Sequence, residues 1–251
     1  MTHPSDISEV ALTVRDLDSV AAFYRDAVGL AEIERLPDLI RLGAGGRVLL
    51  ELRHDPHARY AARHEAGLYH TAFLLPSRDA LGGWLGHALR RDIRLSGASH
   101  HGVSEAVYLN DPEGNGVEIY ADTPRESWVW HGDRVEMPTR RLDIDALLGL
   151  RAGWDGAPDA SRIGHVHLAV GDLGAAAQFF ERDLGLTRTH EGPGGLWYGW
   201  NGYHHHVAGN VWHSEGAGPR DFPVTGLAGI TLSGGERSAF RDPWGTLYEV
   251  R

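Results

Sequence analysis

The strongest constraint on this chain is a repeat of its own sequence. Ile7 to Leu30 reads ISEVALTVRDLDSVAAFYRDAVGL, and Ile163 to Leu186 reads IGHVHLAVGDLGAAAQFFERDLGL. The two stretches align at an offset of 156 without a gap, and 10 of 24 positions are identical. Such a chain builds its fold from copies of one supersecondary unit. Each copy opens with alternation: Val10, Leu12 and Val14 in one, Val166, Leu168 and Val170 in the other. That pattern predicts a strand with one buried face. Asp16 and Asp172 follow at the N-cap of a helix whose apolar stripe runs through Phe23 or Phe179. Gly29 and Gly185 end the helix.

A second repeat is shorter. Asp111-Pro112-Glu113-Gly114 leads to Glu118, and Asp242-Pro243-Trp244-Gly245 leads to Glu249. Asp-Pro-x-Gly is a tight turn, since Pro fixes φ and Gly supplies a positive φ. In both copies a strand follows, with its carboxylate seven residues after the Asp. Upstream, Gly67-Leu68 and Gly226-Leu227 begin matching strands. Four units result, at 7–52, 67–121, 163–213 and 226–251. The first two make an N-terminal half, 1–122, and the last two a C-terminal half, 163–251. Units one to three read as strand, helix, then several strands. Unit four lacks 28 residues, because Gly229 to Glu249 is 20 residues where His70 to Glu118 is 48. Its helix and at least one strand should be missing. Residues 123–162 read as a proline-punctuated connector, with a short helix within Leu142 to Leu150.

Composition narrows the function. The 251 residues carry a formal net charge of -10, which repels polyanions and argues against nucleic acid as a partner. No apolar run is long enough for a membrane span, and the first residues lack the apolar core of a signal peptide. Zero Cys excludes disulfides, thiolate metal sites and a Cys nucleophile, so a soluble cytoplasmic protein is expected. By contrast, 16 His is high, and His is the commonest metal ligand and the usual acid/base at neutral pH. His3, His54, His57, His64, His87 and His131 lie in polar contexts and read as surface residues.

Four βαβββ-like units with this strand–Asp-Leu–helix–Gly-Leu opening resemble the vicinal oxygen chelate superfamily, which includes glyoxalase I, bleomycin resistance proteins and extradiol dioxygenases. The stretch from His101 through Tyr108 and Asp111-Pro112-Glu113-Gly114 to Glu118 resembles the extradiol dioxygenase signature, with Ser99 as one departure. The order of GLYHTAFLLPSR at Gly67–Arg78 and GYHHHVAGN at Gly202–Asn210 resembles the CatE-like catechol 2,3-dioxygenase branch. The resemblance implies an α+β fold of four tandem modules, the last truncated, forming two open-barrel domains. It also implies a metal cup between two units, with ligands from first strands and a last-strand carboxylate.

The first-strand positions are Glu9, His70, His165 and Gly229, and the last-strand carboxylates are Glu51, Glu118 and Glu249. Pairing units two and three gives His70, Glu118 and His165, the two-His, one-carboxylate set of non-haem Fe(II) oxygenases. Pairing units one and two gives Glu9, Glu51, His70 and Glu118, a carboxylate-rich set resembling glyoxalase I and suited to Mn, Ni or Zn. The first pairing is favoured because every residue an extradiol site needs then falls in two units. His167 lies on the same strand face as His165 and competes with it as a ligand. In the resembled enzymes a late-strand His moves the proton, and His205 matches it, with His204 and His206 expected on the opposite face. Tyr108 matches the Tyr that hydrogen-bonds the substrate, and His101, or its neighbour His100, matches the signature's first His. Trp197, Tyr198, Trp200 and Trp212 are candidates for an aromatic wall.

Three activities compete: an Fe(II) extradiol dioxygenase taking a small catechol-type aromatic and O₂, a glyoxalase-type metal-dependent lyase or isomerase, and a non-enzymatic drug-binding resistance protein. The shortened unit four should also uncover the face of Val10, Leu12 and Val14, which predicts a homodimer through that half.

Overall fold

The computed structural model describes residues 3–150 and 152–251. Unit one runs β1 (Asp6–Val14), α1 (Leu17–Phe23), β2 (Ala31–Leu36), β3 (Leu39–Ala44) and β4 (Arg47–His54). Unit two repeats it as β5 (Gly67–Leu74), α2 (Arg78–Arg90), β6 (Leu95–His100), β7 (Ser104–Asn110) and β8 (Gly116–Asp122). The connector holds a small hairpin, β9 (Trp130–His131) and β10 (Arg134–Val135), and the helix α3 (Ile144–Gly149). Unit three is β11 (Arg162–Ala169), α4 (Leu173–Gln178), β12 (Thr187–Gly192), β13 (Gly195–Gly199) and β14 (Val207–Asn210). Unit four is β15 (Gly226–Ser233), β16 (Ser238–Arg241) and β17 (Leu247–Val250), short of the helix and one strand.

The local reasons are those in the sequence. Asp16, Ser77 and Asp172 each accept a backbone N–H three residues on and so cap α1, α2 and α4. Gly29, at φ 87, turns the chain out of the first helical segment in a conformation that a side chain would strain. In both Asp-Pro-x-Gly turns the Asp accepts two backbone N–H groups, those of Glu113 and Asn115 for Asp111, and those of Trp244 and Thr246 for Asp242.

The units pair across the halves. One sheet has the order β16-β17-β15-β1-β4-β3-β2, joining units four and one. The other has the order β12-β13-β14-β11-β5-β8-β7-β6, joining units three and two. In each sheet the two first strands run antiparallel at the centre, β1 with β15 and β11 with β5. The backs of both sheets and the helices share one apolar core, which includes Tyr24, Phe73, Trp84, Phe179 and Tyr248.

That shared core overturns one expectation. Val10, Leu12 and Val14 are fully buried. These residues belong to one core cluster with residues of unit three, whose Phe179 packs on Tyr248 of unit four with ring centroids 5.1 Å apart. The ground for a homodimer through that face is therefore removed.

The connector does more than connect. His100 and Arg140 exchange backbone hydrogen bonds, His190 Nδ1 donates to the carbonyl of Val135, and Trp128, Val135 and Tyr203 form a small apolar cluster of their own. Residues 123–140 are thus strapped along the rim of the sheet that carries units two and three.

Candidate active site

The concave face of that sheet is built by register. Tyr108 lies opposite Glu118 in the β7–β8 ladder, Glu118 opposite Ala72 between β8 and β5, and Ala72 opposite His165 between β5 and β11. These four residues form one transverse row across four strands. His70 shares the face of Ala72, two residues away. Ala72 leaves the centre of the row open, and a side chain at Gly116 would collide with the backbone of Tyr69, so glycine there lets β8 close on β5.

Three donor atoms converge over Ala72. Nε2 of His70 is 3.0 Å from Oε2 of Glu118, Nε2 of His165 is 3.1 Å from that oxygen, and the two nitrogens are 3.2 Å apart. All three residues are buried, and they are the one His/Cys/Asp/Glu group able to hold a metal ion among the described residues. The triangle tests the fit. Donors about 2.1 Å from a metal stand about 3.0 Å apart when they meet it at right angles, and about 3.4 Å apart in a tetrahedron. The observed edges match one face of an octahedron, the geometry that leaves a second face for other ligands.

The protonation states fit as well. Burial alone would raise the Glu118 carboxyl, but His165 and His70 against it hold it well below the usual carboxylate range. Burial pushes the His165 imidazole down to about 4. For Glu118 and His165 these are the ionised carboxylate and neutral imidazole that bind metal. Nδ1 of His165 is buried without a protein partner, so it is the position of Nε2 beside the other two donors, and not an acceptor at Nδ1, that marks Nε2 as the ligating atom.

Around this trio the sequence candidates sort themselves. The Tyr108 hydroxyl is 2.9 Å from Nε2 of His101, whose Nδ1 is 3.2 Å from the carbonyl of Pro138 in the connector. The carbonyl can only accept, so Nδ1 carries the His101 proton and the Tyr108 hydroxyl donates to Nε2. His100 instead accepts the backbone N–H of Gly102 and takes no part. His205 packs on His165 with ring centroids 4.1 Å apart, and burial, then the nearby His165 and His204, push its imidazole well below the ordinary value. His167 is not in the trio, since its Nε2 is held 3.0 Å from the side-chain amide of Asn210.

Two corrections concern the His run. Strand β14 begins only at Val207, so Tyr203 to His206 follow loop geometry and not strand alternation. His206 does turn away, accepting the N–H of Trp200. His204 does not share its side; it reaches Asp122 and His205. The aromatic candidates also divide. Trp197 and Trp212 line the site, whereas Tyr198 and Trp200 are buried in the core.

All of this opens into a cavity of about 1090 Å³. The candidate metal trio, His205 and Tyr108 lie on its wall, and Tyr69, His167, Trp197 and Trp212 carry aromatic surface outward from them. Tyr69 and Trp212 meet edge to face with centroids 5.2 Å apart, and both are partly exposed at the mouth. Sequence reasoning missed Tyr69, although its place beside His70 on β5 was a usable signal, and it missed Asp122; His204 it named but turned the wrong way.

The other sheet carries the same register without the chemistry. Glu51 lies opposite Ala11, and Ala11 opposite Gly229, the positions of Glu118, Ala72 and His165. Arg41 stands where Tyr108 does, opposite Glu51. Its Nε donates to Oε2 of Glu51 at 2.8 Å, and the Arg53 Nε to Oε1 at 2.7 Å. Both carboxylate oxygens are engaged by guanidinium groups. Glu9 is held above its usual range by burial and by the charge of Glu51. Glu51→Gln should therefore leave metal content unchanged and lower the unfolding midpoint by about 2–4 °C, the scale of about 1 kcal/mol in a chain of this length. Thermal unfolding with metal analysis checks this.

Comparison with known proteins agrees with the geometry. The family model for the glyoxalase/bleomycin resistance protein/dioxygenase superfamily matches residues 6–119. A catechol-2,3-dioxygenase of Bacillus subtilis (strain 168) is 38% identical over 235 residues, which take in 90% of this chain and 81% of that one. Among solved structures, glyoxalase I from Zea mays aligns over 100% of this chain and 92% of its own, at 14% identity and a TM-score of 0.60. The cppA protein of Streptococcus pneumoniae TIGR4 aligns over 99% of both chains at 11% identity and a TM-score of 0.57. These two share the fold alone. Among the described residues no helix is long and apolar enough to cross a membrane. On the repeated modules, the buried trio and the 38% identity, the chain belongs to the glyoxalase/bleomycin resistance protein/dioxygenase superfamily, the vicinal oxygen chelate proteins.

Proposed function

We propose that this protein is a non-haem Fe(II) extradiol dioxygenase that opens the ring of a small catechol-type aromatic with O₂ in the cytoplasm. The observation that carries the reading is the buried trio of His70, Glu118 and His165, with edges of 3.0 to 3.2 Å, in a chain 38% identical to a catechol-2,3-dioxygenase. The trio would hold the iron, which when bound supplies the redox chemistry that lets a catecholate react with O₂.

The protein's own part is positioning and proton handling. His205 takes the proton of a catechol hydroxyl at Nε2, so that the O–H bond breaks as an N–H bond forms, which suits an imidazole kept neutral at rest. Tyr108 holds a substrate oxygen, and His101 with the Pro138 carbonyl holds Tyr108. The wall of Tyr69, His167, Trp197 and Trp212 stacks the ring and keeps water away.

A glyoxalase-type site is disfavoured because Glu9 and Glu51 belong to the other sheet and Glu51 is engaged by two arginines. A plain drug-binding protein has no use for a buried ionised carboxylate between two imidazoles, which is costly without a cation. The test is metal analysis of protein purified without oxygen, then anaerobic catechol titration and admission of O₂. About one iron per chain, oxygen uptake and a yellow ring-opened product are expected. Iron-loaded protein that consumes no O₂ with any of a panel of catechols would overturn the reading.

A further inference from the structure

We propose that His204 and Asp122 are positioning residues that fix the tautomer of His205, so that its Nε2 meets the cavity as a free lone pair. The inference rests on the extradiol reading only for what the lone pair is used for. Asp122 ends β8, four residues beyond Glu118 on the same strand face. Its Oδ1 lies 2.9 Å from Nε2 of His204 and 3.1 Å from the Tyr203 hydroxyl. Nδ1 of His204 lies 2.7 Å from Nδ1 of His205.

Two neutral imidazoles can satisfy this chain in one way. A carboxylate only accepts, so when His204 carries one proton it sits on Nε2 and Nδ1 presents a lone pair. The proton between the two Nδ1 atoms then belongs to His205. No protein group among the described residues takes Nε2 of His205, whose side chain lines the cavity beside His165. Packing holds the relay still. His204 is fully buried, with Tyr203 at 4.1 Å and Trp128 at 5.1 Å between ring centroids, and the Thr189 hydroxyl donates to its carbonyl. Trp128 comes from the connector, so that segment steadies the base as well as the tyrosine.

The step this serves is a proton transfer. The catechol O–H bond breaks, an N–H bond forms at Nε2 of His205, and the imidazolium charge is offset through His204 by Asp122. A wrong tautomer would present N–H where a lone pair is needed. The comparable loss in serine proteases reaches about 10⁴-fold in kcat.

The experiment has two readouts on the full chain. In zinc-loaded protein with ¹⁵N-labelled histidine, ring nitrogen shifts report the tautomer. Wild type should show His205 protonated at Nδ1, and His204→Phe should shift it toward Nε2. In iron-loaded protein His204→Phe should keep its iron and its KM for catechol within about threefold, while kcat falls about 10²-fold. His204→Gln should recover kcat to within about tenfold of wild type, since its carbonyl can accept from Nδ1–H and its amide donate to Asp122. If His204→Phe does not fold, Asp122→Asn gives the same two readouts. His205 protonated at Nε2 in wild type, wild-type kcat in these variants, or no recovery in His204→Gln would each overturn the proposal. Wild-type protein with the expected tautomer but no turnover of any catechol would overturn the dioxygenase reading and leave the positioning role standing.

Discussion

Glu118→Gln should leave the chain folded and unable to retain a metal ion. The substitution keeps shape and volume in a residue that is 2% exposed, but it removes the charge from between two imidazoles. Loss of an outer hydrogen bond at a metal site already costs about 10–100-fold in affinity, and loss of one of three protein donors costs more. His70→Ala and His165→Ala should do the same. Metal analysis after gel filtration, beside circular dichroism, reads both halves of the expectation. The apoprotein should not unfold, because the site lies on the open face of a sheet whose back holds the core. Iron kept by His165→Ala and lost by Glu9→Ala or Glu51→Ala would place the cup between units one and two and sink this assignment.

His205→Ala separates binding from chemistry. Its imidazole packs on His165 but is not one of the three converging donors. Iron content and anaerobic catechol binding should stay near wild type, while turnover falls about 10²–10⁴-fold, the usual range for a general acid/base. His205→Gln should behave alike, since an amide cannot exchange a proton at neutral pH. Stopped-flow mixing of the anaerobic catechol complex with oxygenated buffer measures the loss. A wild-type rate removes His205 from the chemistry, and lost iron makes it a ligand.

Much of the candidate site's geometry could be read before the fold. Alternation set the strand faces, the repeat set the equivalent positions, and the Asp-Pro-x-Gly turn set the distance to Glu118. Together these determine a register, and register is what brings Tyr108, Glu118, Ala72 and His165 into one row. The misses lie where periodicity stops. His204 was placed on the wrong side because alternation was extended back past Val207, where the strand begins. The role of the connector was invisible because a strap with two-residue strands has no period, and its contact with His101 is made by a backbone carbonyl. The Val10 face was expected to be bare because a unit read singly cannot show that all units will share one apolar core.

The nesting of units two and three inside the span of one and four sets an order of synthesis. As the chain leaves the ribosome, the last strand of the cup-bearing sheet, β14, is available once Asn210 has emerged. The outer sheet must wait for β15 to β17, because the partner of β1 in the antiparallel ladder is more than 200 residues away. Until those strands arrive, Phe179 has no Tyr248 to rest on and β1 presents an unpaired edge. A nascent chain of this design can thus assemble the His70, Glu118 and His165 trio first and seal its apolar back last, and the interval between the two is its most aggregation-prone moment.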